Sequence, residues 1–285
     1  MKRANVLGAA LVVASAVATA TPAAAQATIG ADVGLFSDYV WRGITYTNKF
    51  VIQPDAYITF PTGPASFTAG GWFNIEPGKY DGASDISESG GESSFDVAEF
   101  DWWGEFNYPY QKANFTLGAT GYYFPNDVGF TKVFNTIELY GKVALSVPLS
   151  PKLAAWYDVD KIKGAYFEGS ISHTIQPPDQ KFSVVLGALA GLSAGQGVNE
   201  SNPDESFNFA DNGFTHLDLS AAVPFTAGPL SISPAVHLVV TGDDATKFTS
   251  PSDLDNSVKV WFGGTISWSK ALGEQPAEEG GESSE

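Results

Sequence analysis

Apolar and polar residues alternate along twelve segments after residue 25, and this period of two is the feature that most limits how the chain can fold. Side chains along a strand point to opposite faces in turn, so each segment has one apolar face and one polar face. In residues 51–60, for example, Ile52 and Ile58 share one face while Asp55 lies on the other. The twelve segments are residues 34–43, 51–60, 66–74, 99–106, 114–123, 133–147, 153–158, 165–175, 182–192, 214–223, 230–240 and 258–268.

No stretch after residue 25 has the roughly 18 consecutive apolar residues that a membrane-spanning helix needs. Without such a helix, a chain crosses a bilayer only as a closed barrel, because every backbone polar group must be paired. Bacterial outer-membrane barrels have an even number of antiparallel strands of about ten residues each. We therefore expect an all-β, antiparallel transmembrane β-barrel of about 12 strands. The alternative is a soluble antiparallel barrel or sandwich, which would bury its apolar face internally.

The connections between segments alternate in length, as the two rims of an outer-membrane barrel require. Five tight turns are marked by proline, at residues 61–64, 109–112, 148–151, 176–180 and 225–229. Three connections are long and polar, at residues 76–94, 193–213 and 241–256. With both termini in the periplasm, the short turns are periplasmic and the long loops extracellular. Aromatic residues near strand ends on the apolar face suit an interfacial girdle; these are Trp41, Trp102, Tyr108, Tyr123 and Trp268.

The two ends of the chain differ from its middle. Lys2 and Arg3, an uncharged run over residues 6–20 and alanines at 23–25 have the layout of a cleaved secretory signal. Residues 274–285 are rich in Glu, Gly and Ser, so we expect them to be disordered. The sequence thus predicts a signal peptide (1–25), an outer-membrane barrel (26–273) and an acidic tail (274–285). This predicts a location in the cell outer membrane, with lipid, lipopolysaccharide and the barrel assembly machinery as partners.

The amino-acid composition excludes several kinds of partner and of chemical site. A formal net charge of −17 argues against nucleic acid as a partner. The absence of cysteine excludes disulfides, thiolate catalysis and Cys-based metal sites, and we expect no cofactor. Two carboxylate pairs, Asp158 with Asp160 and Asp243 with Asp244, offer oxygen ligands for a hard cation, but their spacing is not that of a closed site.

The polar faces of the strands would line the lumen of the barrel. Acidic residues on these faces outnumber basic ones: Asp38, Asp55, Glu99, Asp101, Glu105, Glu138, Asp158, Glu168 and Asp218 stand against Arg42, Lys142 and Lys259. Such a lining attracts cations and repels anions. Four tryptophans are also predicted to face inward, namely Trp72, Trp103, Trp156 and Trp261. We expect them to fill space, and stacking on a sugar ring is the alternative. Because about eight strands are just filled by side chains, twelve should leave a narrow bore.

Arg42 is the only arginine after residue 3. On strand alternation it shares the lumen face with Asp38, four residues earlier. Its charge either stands at a pore constriction or forms a structural ion pair. We favour the ion pair, because an inward charge in a narrow barrel must be paired to persist.

Close to the expected start of the mature chain stands the run Ser37-Asp38-Tyr39-Val40-Trp41-Arg42-Gly43-Ile44. This run resembles the opening motif of the TorF-type porin family, also called the Gcw_chp family. Size and strand layout agree over nearly all of the chain after residue 25. The resemblance implies an outer-membrane barrel but no particular substrate. Barrels of this kind commonly end on an aromatic residue that the assembly machinery reads, whereas here a tail follows Trp268.

The leading functional hypothesis is a porin that lets small solutes diffuse passively through a narrow, mildly cation-preferring lumen. The runner-up is a non-conducting barrel that acts as a surface binding or structural protein through its long loops. A barrel hydrolase is the third hypothesis. Residues 191–195 match the nucleophile-elbow pattern, but no helix follows. His173, His216 and His237 could each serve as a base, but only His216 and His237 face the lumen by alternation, and no serine is fixed beside either. We therefore do not expect an enzyme.

Export should remove the first 25 residues. We expect the N-terminal peptide of the protein purified from outer membranes to begin at Gln26, as measured by mass spectrometry. Protein from cells with blocked secretion serves as the control and should keep Met1. A purified membrane protein that still begins at Met1 would show that residues 6–20 are a retained anchor.

Overall fold

Twelve antiparallel strands form one closed sheet in the computed structural model of this chain, which describes residues 26–126, 135–177, 182–198 and 208–273. The predicted signal peptide and acidic tail lie outside the described residues. The strands of the barrel wall are β1 (Thr28–Phe36), β4 (Val51–Thr62), β5 (Ala65–Glu76), β6 (Asp96–Tyr110), β7 (Ala113–Tyr123), β8 (Thr136–Leu145), β9 (Lys152–Asp158), β10 (Ala165–Ile175), β11 (Val184–Ala194), β12 (Gly213–Ala222), β14 (Leu230–Thr241) and β15 (Val258–Ala271).

Four further elements lie between the wall strands. A hairpin of β2 (Tyr39–Trp41) and β3 (Ile44–Thr47) forms a separate two-stranded sheet between β1 and β4. The short strand β13 (Phe225–Ala227) pairs with the start of β14, and the one-turn helix α1 (Asp244–Lys247) follows β14. The described part of the chain contains no helix with the length and hydropathy needed to cross a bilayer.

The first and last wall strands pair with each other and close the sheet. β1 runs antiparallel to β15, from Thr28 opposite Ala271 to Phe36 opposite Gly263. Every other wall strand pairs with the next wall strand along the chain, β12 pairing with β14 across the short β13. This confirms the expected antiparallel barrel of 12 strands.

The two rims of the barrel differ in their connections. We call the end that holds Thr28 the short-turn rim; the connections there are residues 63–64, 111–112, 146–151, 176–183 and 223–229. The opposite end is the long-loop rim, with connections at residues 37–50, 77–95, 124–135, 159–164, 195–212 and 242–257. The flanking strands thus place all five predicted proline turns at one rim and the three predicted long loops at the other, although residues 178–181 and 199–207 of these connections lie outside the described residues.

The period of two separates an outer apolar face from an inner polar one. On β6, Trp102 is 46% exposed while its neighbour Trp103 is 4% exposed. All four tryptophans predicted to face inward are buried. Of the predicted girdle residues, Tyr108 and Tyr123 are exposed close to strand ends, whereas Trp102 lies at the middle of β6.

The structure corrects the first predicted strand. Residues 34–43 were expected to be one wall strand, but β1 covers Thr28–Phe36, and the chain then enters the β2–β3 hairpin. Trp41, expected on the lipid face, is buried inside the barrel. The prediction was wrong because the strands of a hairpin have the same period of two as a wall strand, so alternation alone does not separate them.

A charge on the outer face should destabilise the barrel according to its depth. Leu117 at the middle of β7 and Leu153 at the start of β9 are 68% and 69% exposed, so they form a matched pair. We expect Leu117→Arg to cost about 2–4 kcal/mol and Leu153→Arg about 0–1 kcal/mol. Urea unfolding of the protein in lipid vesicles measures both. Equal costs would contradict a lipid-facing position for Leu117.

Candidate functional site

The β2–β3 hairpin folds into the lumen and fills its long-loop half. All nine of its residues are buried, and five of them are apolar, namely Tyr39, Val40, Trp41, Ile44 and Tyr46. They belong to one apolar cluster with inward residues of the wall, among them Trp72, Tyr140, Trp156, Tyr166 and Trp261. The main apolar core of the described chain is therefore inside the barrel and centred on this hairpin.

The tip of the hairpin is a two-residue turn with left-handed backbone. Trp41 pairs with Ile44, and the turn residues Arg42 and Gly43 have φ of 49° and 82°. Positive φ at both central positions is the pattern of a type I′ turn, where Asn-Gly or Asp-Gly is preferred. Gly43 also lies against a side chain of the wall, because a Cβ added there would be 2.7 Å from Cγ of His216.

The guanidinium of Arg42 reaches across the lumen to Glu138 on β8. Its Nη1 and Nη2 donate to the two carboxylate oxygens at 3.1 and 2.9 Å, and the side chains are 3% and 2% exposed. Nη1 also donates to Oε1 of Gln196 at 3.2 Å. A bidentate pair that is hidden from water resists separation, since removing one partner leaves the other charge buried at a cost of about 3–5 kcal/mol.

Three further contacts anchor the hairpin to the wall. The Lys259 ammonium of β15 donates to the carbonyl oxygen of Gly43 and, at 3.0 Å, to the Thr45 hydroxyl. The Tyr39 hydroxyl donates to Glu99 of β6. The Thr47 hydroxyl donates to Oε1 of Glu76 at 2.5 Å. Each anchor comes from a different wall strand, so the hairpin is held on several sides.

The loop at residues 77–95 packs beside the hairpin. Ile86 is buried, and Ser87, Glu88 and Ser89 all donate hydrogen bonds to Glu76 at the end of β5. This loop was predicted as a long outer connection. Its position on the long-loop rim is confirmed, and part of it folds inward.

A cavity of about 150 Å³ occupies the short-turn half of the lumen. Four of the predicted lumen residues line it: Glu105, Lys142, Glu168 and Asp218. Lys142 pairs with Glu105 at 3.5 Å, and His237, stacked on Trp261, contacts Asp218 at 3.0 Å. Glu168 accepts a hydrogen bond of 3.2 Å from the Tyr166 hydroxyl.

The structure places the other predicted lumen residues in two groups. The first group is buried on wall strands and consists of Asp55, Glu99, Asp101, Glu138, Asp158 and Lys259. Asp38 and Arg42 lie in the segment after β1, and so their predicted position on a wall strand was wrong. Asp38 accepts a hydrogen bond from the Ser37 hydroxyl at 2.5 Å, while Arg42 pairs with Glu138.

Some residues of the site were not predicted. Tyr122 donates to Glu138 at 3.1 Å, and Tyr166 lies 3.9 Å below the Arg42 guanidinium. Both residues lie on the inward faces of their strands, which the alternation of apolar and polar residues identifies. Gln196 lies in a loop beyond β11 and carries no comparable signal in the sequence.

The carboxylates considered for a cation hold loops in place. Asp158 accepts from the backbone nitrogens of residues 160, 162 and 163 and from the Thr136 hydroxyl. Asp243 caps α1 and accepts from the nitrogens of Ala210 and Asp211. Within the described residues, no group of three or more acidic or histidine side chains is arranged to hold a metal ion.

Comparisons with known proteins agree with this fold. Residues 19–176 match the sequence profile of a family described as a bacterial protein of unknown function (Gcw_chp). No curated protein matches the chain. An outer-membrane channel from Pseudomonas putida F1 is similar in structure with a TM-score of 0.50 at 10% identity, over 88% of this chain and 97% of that chain.

Two further solved structures are more distant. LpxR from Salmonella typhimurium has a TM-score of 0.46 at 8% identity, over 85% of this chain and 99% of that one. An anion-selective porin from Comamonas acidovorans has a TM-score of 0.34 at 7% identity, over 86% and 98%. The likeness to the P. putida channel shows an outer-membrane type of β-barrel fold.

The hairpin tip should not tolerate a side chain at position 43. Gly43→Ala adds backbone strain and overlap with His216, and we expect the seated hairpin to lose about 2–3 kcal/mol. An arginine-specific protease measures how often the hairpin leaves its position, because Arg42 is the only arginine after residue 3. Cleavage after Arg42 in the folded barrel should accelerate at least about tenfold, in proportion to the open population.

Gly63→Ala is the matched control for this experiment. Gly63 has φ of 67° in the turn between β4 and β5, and a Cβ there would meet nothing within 4 Å. It should introduce similar strain and leave cleavage after Arg42 unchanged. Equal cleavage rates in both variants and the wild type would show that contact with His216 does not hold the hairpin.

Proposed function

This chain belongs to the Gcw_chp family of bacterial proteins of unknown function, and we propose that it is an outer-membrane channel protein that passes small solutes and prefers cations. The acidic cavity in the short-turn half of the lumen is the observation that carries this proposal. The similarity of its fold to an outer-membrane channel supports a channel role. We propose further that the protein is exported with loss of its signal peptide and that its partners are lipid, lipopolysaccharide and the assembly machinery.

The charges around the cavity favour cations. Glu105, Glu168 and Asp218 line it together with Lys142 and Lys152. The Lys142 charge is neutralised by Glu105, which leaves the carboxylates of Glu168 and Asp218 against the single ammonium of Lys152. A wall of low dielectric constant around such a cavity strengthens the field that a solute meets.

The bore is narrow because the hairpin occupies the other half of the lumen. Trp41, Arg42 and Tyr46 are all less than a tenth exposed, so the segment leaves little room between itself and the wall. A solute that passes must therefore be small, or the hairpin must shift. Passive diffusion through a partly filled lumen predicts a low conductance.

The filled lumen also favours a second candidate function. A barrel closed by an anchored hairpin fits a non-conducting binding or structural protein that acts through its outer loops. Planar-bilayer conductance of the purified protein separates the two candidates. Channel steps above the lipid background support the channel, and insertion without such steps supports the non-conducting barrel.

Cation preference should depend on Glu168. We expect Glu168→Gln to lower the permeability ratio of K⁺ to Cl⁻ about twofold, since a carboxylate within several ångströms of a cation contributes about 0.5 kcal/mol in a hydrated pore. Reversal potentials in a salt gradient measure the ratio. Asp255→Asn is the control, because Asp255 is 89% exposed on the long-loop rim and should change little. A wild-type channel that prefers anions would contradict the charge argument.

A further inference from the structure

The pocket that receives the Arg42 guanidinium is built mainly from distant parts of the chain. Glu138 provides both carboxylate oxygens, Gln196 an amide oxygen, and Tyr166 and Trp156 two aromatic faces at 3.9 and 5.3 Å from Cζ of Arg42. Tyr122 and Gln196 in turn donate to Glu138 at 3.1 and 3.4 Å. These donors hold the carboxylate in place independently of Arg42.

The geometry of the pocket matches a guanidinium and not an ammonium. Two parallel hydrogen bonds to one carboxylate need the planar fork of nitrogens that a guanidinium has. A delocalised planar cation also stacks on an aromatic ring, as Arg42 does on Tyr166. A lysine ammonium is a compact point charge and makes neither the fork nor the stack.

The backbone at residue 42 gives no reason for an arginine. With φ of 49° the residue is in the left-handed region, where Asn, Asp and Gly are favoured. The interactions of the side chain therefore compensate for the unfavourable backbone conformation. The bonds to Glu138 and the contact with Tyr166 are these interactions.

The same pocket borders the open cavity. Trp156 both lines the cavity and lies beneath the Arg42 guanidinium. Glu168, which also lines the cavity, accepts from the Tyr166 hydroxyl. A cation drawn into the cavity from the short-turn rim thus reaches the edge of the Arg42 pocket.

We propose that the barrel carries a recognition site for a solute guanidinium, formed by Glu138, Trp156 and Tyr166 of the wall and Gln196 of the adjoining loop, and that Arg42 is its tethered occupant. Solutes of this chemistry exchange with Arg42 as they move through the lumen. This solute class rests on the proposed channel function, whereas the site itself is testable without conduction.

The test empties the site and offers a soluble replacement. Arg42→Gly removes the guanidinium and suits the left-handed backbone. The unfolding temperature of the variant in detergent should fall below that of the wild type. Methylguanidinium at millimolar concentrations should restore most of the loss. Methylammonium should need about tenfold more, because it lacks the fork.

The double variant Arg42→Gly with Glu138→Gln is the matched control and should not respond to methylguanidinium. The wild type should respond only at higher methylguanidinium concentrations, because the solute must first displace Arg42. If Arg42→Gly does not fold, Arg42→Asn is used, with refolding yield in methylguanidinium as the readout. No rescue of either variant, or equal rescue by methylammonium or in the double variant, overturns the proposal. The unfolding temperature is measured without any ion current. A barrel that shows no conductance would therefore refute the proposed channel function without changing the result for the guanidinium site.

Discussion

The pairing of β1 with β15 is the constraint from which the other features of this protein follow. An open sheet in lipid would leave a row of unpaired backbone groups at each edge, and closure supplies their partners. Closure also encloses one face of every strand. The apolar face then meets lipid and the polar face surrounds a space of limited width, which side chains and inserted segments must fill or leave as a channel.

The β2–β3 hairpin fills half of that space, and an ion pair decides where it sits. A buried ion pair is weak evidence of stability, because desolvation offsets much of the attraction between the charges. Its geometry nevertheless fixes the hairpin in one position, since the fork of Arg42 fits only the two oxygens of Glu138. The aromatic residues around it contribute apolar contact without specifying a register. The ion pair therefore specifies the position of the hairpin, and the aromatic cluster accounts for most of the buried apolar surface.

The lumen thus has two halves with different properties. The long-loop half is packed, with Ile86 of the 77–95 loop and Phe209 buried beside the hairpin. The short-turn half holds a cavity with carboxylates on its wall. Trp156 belongs to both halves, because it lines the cavity and contacts Arg42. Trp156 therefore connects the buried ion pair to the wall of the cavity.

The sequence by itself determined the closed antiparallel barrel, its twelve strands and the rim on which each proline turn lies. A period of two shows which residues of a strand lie on the same face, so Trp103 and Trp156 could be placed inward. Proline shows where a strand ends, so the turns could be located. Only the tertiary structure decided that residues 39–47 leave the wall and enter the lumen, and that Arg42 pairs with Glu138, 96 residues away, and with Gln196. The physical reason is that alternation is a local property shared by wall strands and inserted hairpins. Whether a segment becomes a wall strand or an inserted hairpin depends on the width of the enclosed space. It also depends on partner side chains that come together only when the sheet closes.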